Sequence, residues 1–107
     1  MEINMVIDFH THTFPEQLAE RAIEKLSHSA HIKNYSDGTL AGLKRAMQAA
    51  AVDCAVLLPV VTKPSQQEDI NRAVIERNQE FQETSILSFG GIHPDNENLA
   101  ATAPGLI

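Results

Sequence analysis

Eight residues in a row, Cys54-Ala55-Val56-Leu57-Leu58-Pro59-Val60-Val61, carry no polar side chain. A run that short and uniformly apolar reads as a strand buried on both faces, the habit of parallel sheets covered by helices. Pro59 cannot donate to a ladder, so the strand is expected to be finishing there. Cys54, the chain's one cysteine, has no partner for an internal disulfide and reads as a small buried hydrophobe. Residues 3–9 (I-N-M-V-I-D-F) and 86–91 (I-L-S-F-G-G) have the length and β-former content of two further strands.

Helical patterns fill the intervals. Thr13-Phe14-Pro15-Glu16 reads as a helix start, with a Thr cap, an early Pro and a Glu three residues after the cap. Leu18, Ala22, Ile23 and Leu26 then form one narrow apolar stripe. Residues 27–38 are polar and read as a loop, with Asp37-Gly38 as turn chemistry. A second helix is expected from Thr39, with Leu40, Leu43, Met47 and Ala50 on one face. After Thr62-Lys63-Pro64, the segment Ser65-Gln66-Gln67-Glu68 repeats the capping-box signature, and Ile70, Ala73, Val74 and Phe81 mark the third helix's buried face. Three strands separated by helices are three β/α units, which predicts an α/β fold with a parallel sheet.

The length of 107 residues suits one domain. Hydrophobic residues at 43% and charged residues at 21% are ordinary for a globular chain. A net charge of −6 speaks against a sequence-independent nucleic-acid binder, and equally against attraction to an anionic membrane surface. No segment approaches the ~20 apolar residues of a membrane span. The N-terminus has Glu2 and no basic region, unlike a signal peptide, so the expected compartment is the cytoplasm.

Chemistry concentrates in Asp8-Phe9-His10-Thr11-His12. Alternation along a strand puts Asp8, His10 and His12 on one side and Phe9 on the other. Two imidazoles two residues apart at a strand end can grip one metal ion, with Asp8 placed to orient a ligand. The C-terminal ends of parallel strands are also where such folds build their sites. His93, in Gly90-Gly91-Ile92-His93-Pro94, closes the third strand and would share that rim as a substrate-contacting or proton-handling group. His28 and His31 fall in the polar loop, and Lys63 follows the second strand; these read as solvated.

These elements resemble the amidohydrolase-related group of metal-dependent TIM-barrel hydrolases, which also includes aminocarboxymuconate-semialdehyde decarboxylase-like enzymes. The similar segments are I-D-F-H-T-H-T-F-P (Ile7 to Pro15), D-G-T-L-A-G-L (Asp37 to Leu43), V-L-L-P-V-V-T-K-P (Val56 to Pro64) and F-G-G-I-H-P-D (Phe89 to Asp95). The resemblance implies the N-terminal three β/α units of a (β/α)8 barrel. It also implies a divalent metal, often zinc, that activates water against a small-molecule substrate. His10 and His12 match the family's first-strand ligands; its later ligands have no counterpart in these residues. Residues 99–107 (L-A-A-T-A-P-G-L-I) carry no charge and depart from the charged helix the family would continue with. A truncated or frameshifted product is therefore expected, with self-association through an exposed sheet edge.

Four rival readings remain at this level. A decarboxylase of the same family would use the same histidines. Phosphoesterases of the polymerase-and-histidinol-phosphatase kind also begin with a strand and H-T-H-T, and TatD-like nucleases share the H-x-H and G-x-H-P elements. A non-catalytic α/β fragment with idle histidines would explain the length alone.

Overall fold

The computed structural model describes residues 4–97. The tail 99–107 and the expected start of the first strand at Ile3 lie outside them. Strand β1 (Ile7–Thr11) is followed by helices α1 (Glu16–Ala30) and α2 (Leu40–Ala50), then by strand β2 (Cys54–Leu57). A single 3-10 turn (Pro64–Gln66) leads into α3 (Gln67–Gln79), a short α4 (Phe81–Thr84) and strand β3 (Ile86–Ser88). The three strands form one parallel sheet in the order β1-β2-β3. This is the α/β arrangement that the alternating pattern predicts.

The core lies where the apolar run predicts it. Ala55, Val56 and Leu57 of β2 are all buried, flanked by a strand on each side. Met47 of α2 packs with Ala55, Leu57 and Ile86, and Leu40, Leu43 and Val52 close around them. Strand β2 is nevertheless shorter than its sequence, ending at Leu57 rather than running on to Val61. Pro59 removes one donor, and the last inter-strand bonds run from the Leu58 N–H to the Thr11 carbonyl and from the Phe89 N–H to the Leu57 carbonyl.

Several local expectations are corrected. Helix α1 runs on through His28 to Ala30, so residues 27–30 are helical rather than loop; His31 then closes the helix in the left-handed conformation (φ 56°). Its stripe is poorly covered: Leu18 and Leu26 are 52% and 48% exposed, and Ala19 is its buried residue. Neither expected capping box forms. Pro15 and Gln66 occupy the cap positions of α1 and α3 with no side-chain cap bond, while the Gln66 side-chain oxygen accepts from Thr62 instead. Phe81 belongs to α4, because the chain leaves the α3 helix at Glu80.

The Asp37-Gly38-Thr39 turn does what its residues predict. Thr39 caps α2 by accepting from the Gly42 N–H at 3.0 Å. Asp37 accepts from the Thr39 N–H and hydroxyl, and pairs with Arg45 at 3.2 Å. Those Thr39 bonds, with smaller help from Arg45, hold the Asp37 carboxyl below its ordinary value. Gly38 sits at φ 75°, and a Cβ there would stand 2.7 Å from Ile23 of α1, so the turn seats directly on that helix.

Candidate metal site at the strand-end rim

Because the strands are parallel, their C-terminal ends share one rim. His10 lies near the end of β1 and His12 just past it. The register between β1 and β2 breaks between Asp8 and Thr11, a bulge that takes His10 out of the ladder. Thr11 fills in: its hydroxyl donates to the Val56 carbonyl at 2.7 Å, and the Leu58 N–H donates to the Thr11 carbonyl at 2.9 Å. The displaced His10 N–H donates to Asp8 Oδ1 at 3.1 Å. Asp8 thus holds the His10 backbone rather than an imidazole ring.

The bulge brings the two rings together. His10 Nε2 and His12 Nε2 are 3.0 Å apart, with the rings nearly perpendicular at 79°. His12 Nδ1 lies 2.7 Å from the Leu58 carbonyl, a group that can only accept, so Nδ1 carries the proton and Nε2 is bare in the neutral ring. The remaining proton of the pair must then sit on His10 Nε2 and point at His12. A backbone carbonyl that fixes one histidine nitrogen while the other faces a partner is the usual outer support of a metal-bound imidazole.

The donor set fits a metal in part. Two imidazole nitrogens on one tetrahedral zinc stand about 3.3 Å apart, close to the separation seen here. Binding would require His10 to move its proton from Nε2, and its exposed ring leaves Nδ1 free to take it. Catalytic zinc sites, however, usually hold three protein ligands. Among the described residues no group of three or more His, Cys, Asp or Glu is placed to share one ion. The site is an exposed two-nitrogen clamp.

His93 is held quite differently. It follows β3 by five residues and its side chain is 16% exposed, deeper than either strand-one histidine. Its Nδ1 accepts from the Asp95 N–H at 3.1 Å, which leaves Nε2 to carry the proton in the neutral ring. Its own backbone N–H donates to Gln67 Oε1 at 2.8 Å. The structure places His93 on the shared rim but does not bring it into one ligand group with His10 and His12. Lys63 stands exposed at the start of the 3-10 turn, and His28 and His31 are exposed at the end of α1. A hollow beside β2, about 140 Å³ between α3 and the segment Thr13–Pro15, is lined by Phe14, Leu57, Pro59, Val74 and Arg77 rather than by histidines.

The sequence reading missed the residues that hold this second region. Gln67, Asn71 and Asn78 of α3 sit at i, i+4 and i+11, one helix face, and point at the backbone of β3 and the segment after it. Asn78 exchanges two bonds with Ser88, at 2.7 and 2.9 Å. Asn71 does the same with Gly91, at 2.8 Å each way. Gln67 is fully buried and Asn71 is 6% exposed. The signal was available: three amide side chains share a face that also carries Val74, an odd choice for a solvated surface. Among the described residues no helix is long and apolar enough to cross a membrane. Comparison with family models, with curated proteins and with solved structures finds no match for this chain.

Proposed function

We propose that this chain forms the first three β/α units of a metal-dependent hydrolase barrel of the amidohydrolase-related kind, with His10 and His12 as its first-strand ligands. One observation carries the reading: the two Nε2 atoms converge at 3.0 Å while the Leu58 carbonyl orients His12 from behind. Three parallel strands in sequential order, with the histidines at their C-terminal rim, agree with the way such barrels place their sites. Zinc is the first metal to test, since imidazole donors suit it.

A bound metal of this kind supplies a Lewis acid and an activated water for attack on a C–N or C–O bond of a small molecule. The chain's own residues contribute the grip. His12 is fixed by Leu58, and Asp8 holds the backbone at His10 so that the rings stay opposed. His93, with its Nε2 proton, is the group on the rim suited to donate a proton or a hydrogen bond to substrate. Two ligands alone do not make a catalytic centre, so negligible turnover is expected from the 107-residue chain in isolation.

Zinc content of the purified chain, measured by elemental analysis beside a His10→Ala/His12→Ala variant, tests the reading. About one zinc per chain in the wild type and none in the variant is the expected result. Equal metal content in the two, whether present or absent, would overturn the assignment of these histidines as ligands.

A further inference from the structure

Five hydrogen bonds tie one face of α3 to the backbone of residues 88–93, and they end at His93. The first pair meets Ser88. Its neighbour Phe89 turns its N–H toward β2, donating to the Leu57 carbonyl at 3.0 Å, so Ser88 turns its own N–H and C=O away from the sheet. Asn78 takes both and stands where the backbone of a further strand would pair. Asn71 repeats the arrangement three residues further on, at Gly91. That segment is also held from the other side: a Cβ on Gly91 would stand 2.5 Å from Val61 and 3.1 Å from Pro59, so the segment after β2 presses directly on its backbone. Gln67 then fixes the N–H of His93 itself.

A segment bonded at three successive points by amides, two of them buried, has little freedom left, and its last residue is a histidine with a defined proton arrangement. We propose that Gln67 and Asn71 are positioning residues for His93: they hold its backbone where the Asp95 N–H meets Nδ1, and so keep the ring a single tautomer with the proton on Nε2 at the strand-end rim. The inference deepens the hydrolase reading, because it supplies the frame for the group that would meet substrate there. Its geometry is independent of the His10–His12 clamp. Amides suit the task because they offer donor and acceptor together and do not titrate, so the frame keeps its shape whatever proton His93 carries.

The test is nitrogen-15 NMR of the histidine side chains in the zinc-free protein near neutral pH. In the wild type, the His93 Nδ1 and Nε2 resonances are expected to lie far apart, as a bare and a protonated nitrogen do. A near-averaged pair in the wild type would overturn the proposal before any substitution is made. Gln67→Met keeps the side chain's length and removes the acceptor for the His93 N–H. In that variant the two resonances are expected to move toward each other. Unchanged His93 resonances in Gln67→Met would show that the ladder holds the fold but not the ring. Zinc uptake, read separately on the same samples, reports on His10 and His12 alone, so failure of the metal reading and failure of this one are told apart.

Discussion

The two ends of the sheet carry histidines of opposite kinds. At β1, every residue from Ile7 to His10 is exposed, and His10 and His12 meet over open solvent. At β3, Ile86 and Ser88 are buried, and the segment beyond them is bonded to α3 as far as His93. The first end is defined by side chains reaching across a bulge. The second is defined by a backbone held in place. A clamp of the first kind can open to admit a metal at little cost, because few contacts are lost. A frame of the second kind resists movement, because the buried Asn71 and the buried backbone of Gly91 would lose their bonds to each other.

Substitutions should separate the two ends sharply. The largest effect is expected from Asn71→Leu, which keeps the volume but leaves the Gly91 N–H and C=O without their partner. Two unmet buried groups cost about 2–4 kcal/mol, a large share of any small domain's stability, read as a lower urea midpoint. Gly91→Ala comes next. The new methyl must push against Val61 and Pro59, and overpacking of this kind costs about 1–3 kcal/mol, checked by the same titration. At the other end, Phe9→Ala is expected to change stability by less than about 0.5 kcal/mol, because Phe9 is already 64% exposed. A large loss at Phe9 would mean that β1 is covered in solution, and the contrast between the ends would fail.

The smallest effect sharpens the same contrast by pH. The turn between α1 and α2 is anchored by a carboxylate, whereas the β3 end is anchored by amides that do not titrate. Bonds from Thr39 hold the Asp37 carboxyl below its ordinary value in the folded chain. A depressed folded value means that the stabilisation is present above the unfolded-state pKa and is lost as pH falls through the folded one. Wild type should therefore exceed Asp37→Asn modestly at neutral pH, with the difference shrinking in acid. A difference between them that is independent of pH would place the effect elsewhere. Asn71→Leu, by contrast, should keep its full cost across the same range.

Much of this molecule could be read in one dimension. The uniform apolar run at β2 announced a strand buried on both faces, and its first half, Cys54–Leu57, forms one. Thr39 announced the start of α2, and the Asp37-Gly38 turn before it forms as its residues require. The pairing of His10 with His12 was legible from their spacing, although the reason assumed a regular pleat. The structure brings the rings together through a bulge, with His12 beyond the strand. Stripes were less informative. Leu18 and Leu26 recur at helical spacing but remain half exposed, since periodicity states which face a helix offers and not whether anything comes to cover it. The capping signatures at Thr13 and Ser65 failed for a related reason: Pro15 and the 3-10 turn at Pro64 shift the helix starts away from the residues meant to cap them.

Local chemistry therefore determined the elements, the parallel sheet and the identity of the facing imidazoles, because each depends on residues near one another in the chain. What β3 does after Ser88 was settled only by tertiary structure. Gln67 and His93 are 26 residues apart, and Asn71 and Gly91 are 20 apart. An amide side chain carries no mark of which distant backbone it will meet. Its partner exists only once α3 has been laid against the sheet, and the burial that makes those bonds costly to lose comes from that same packing.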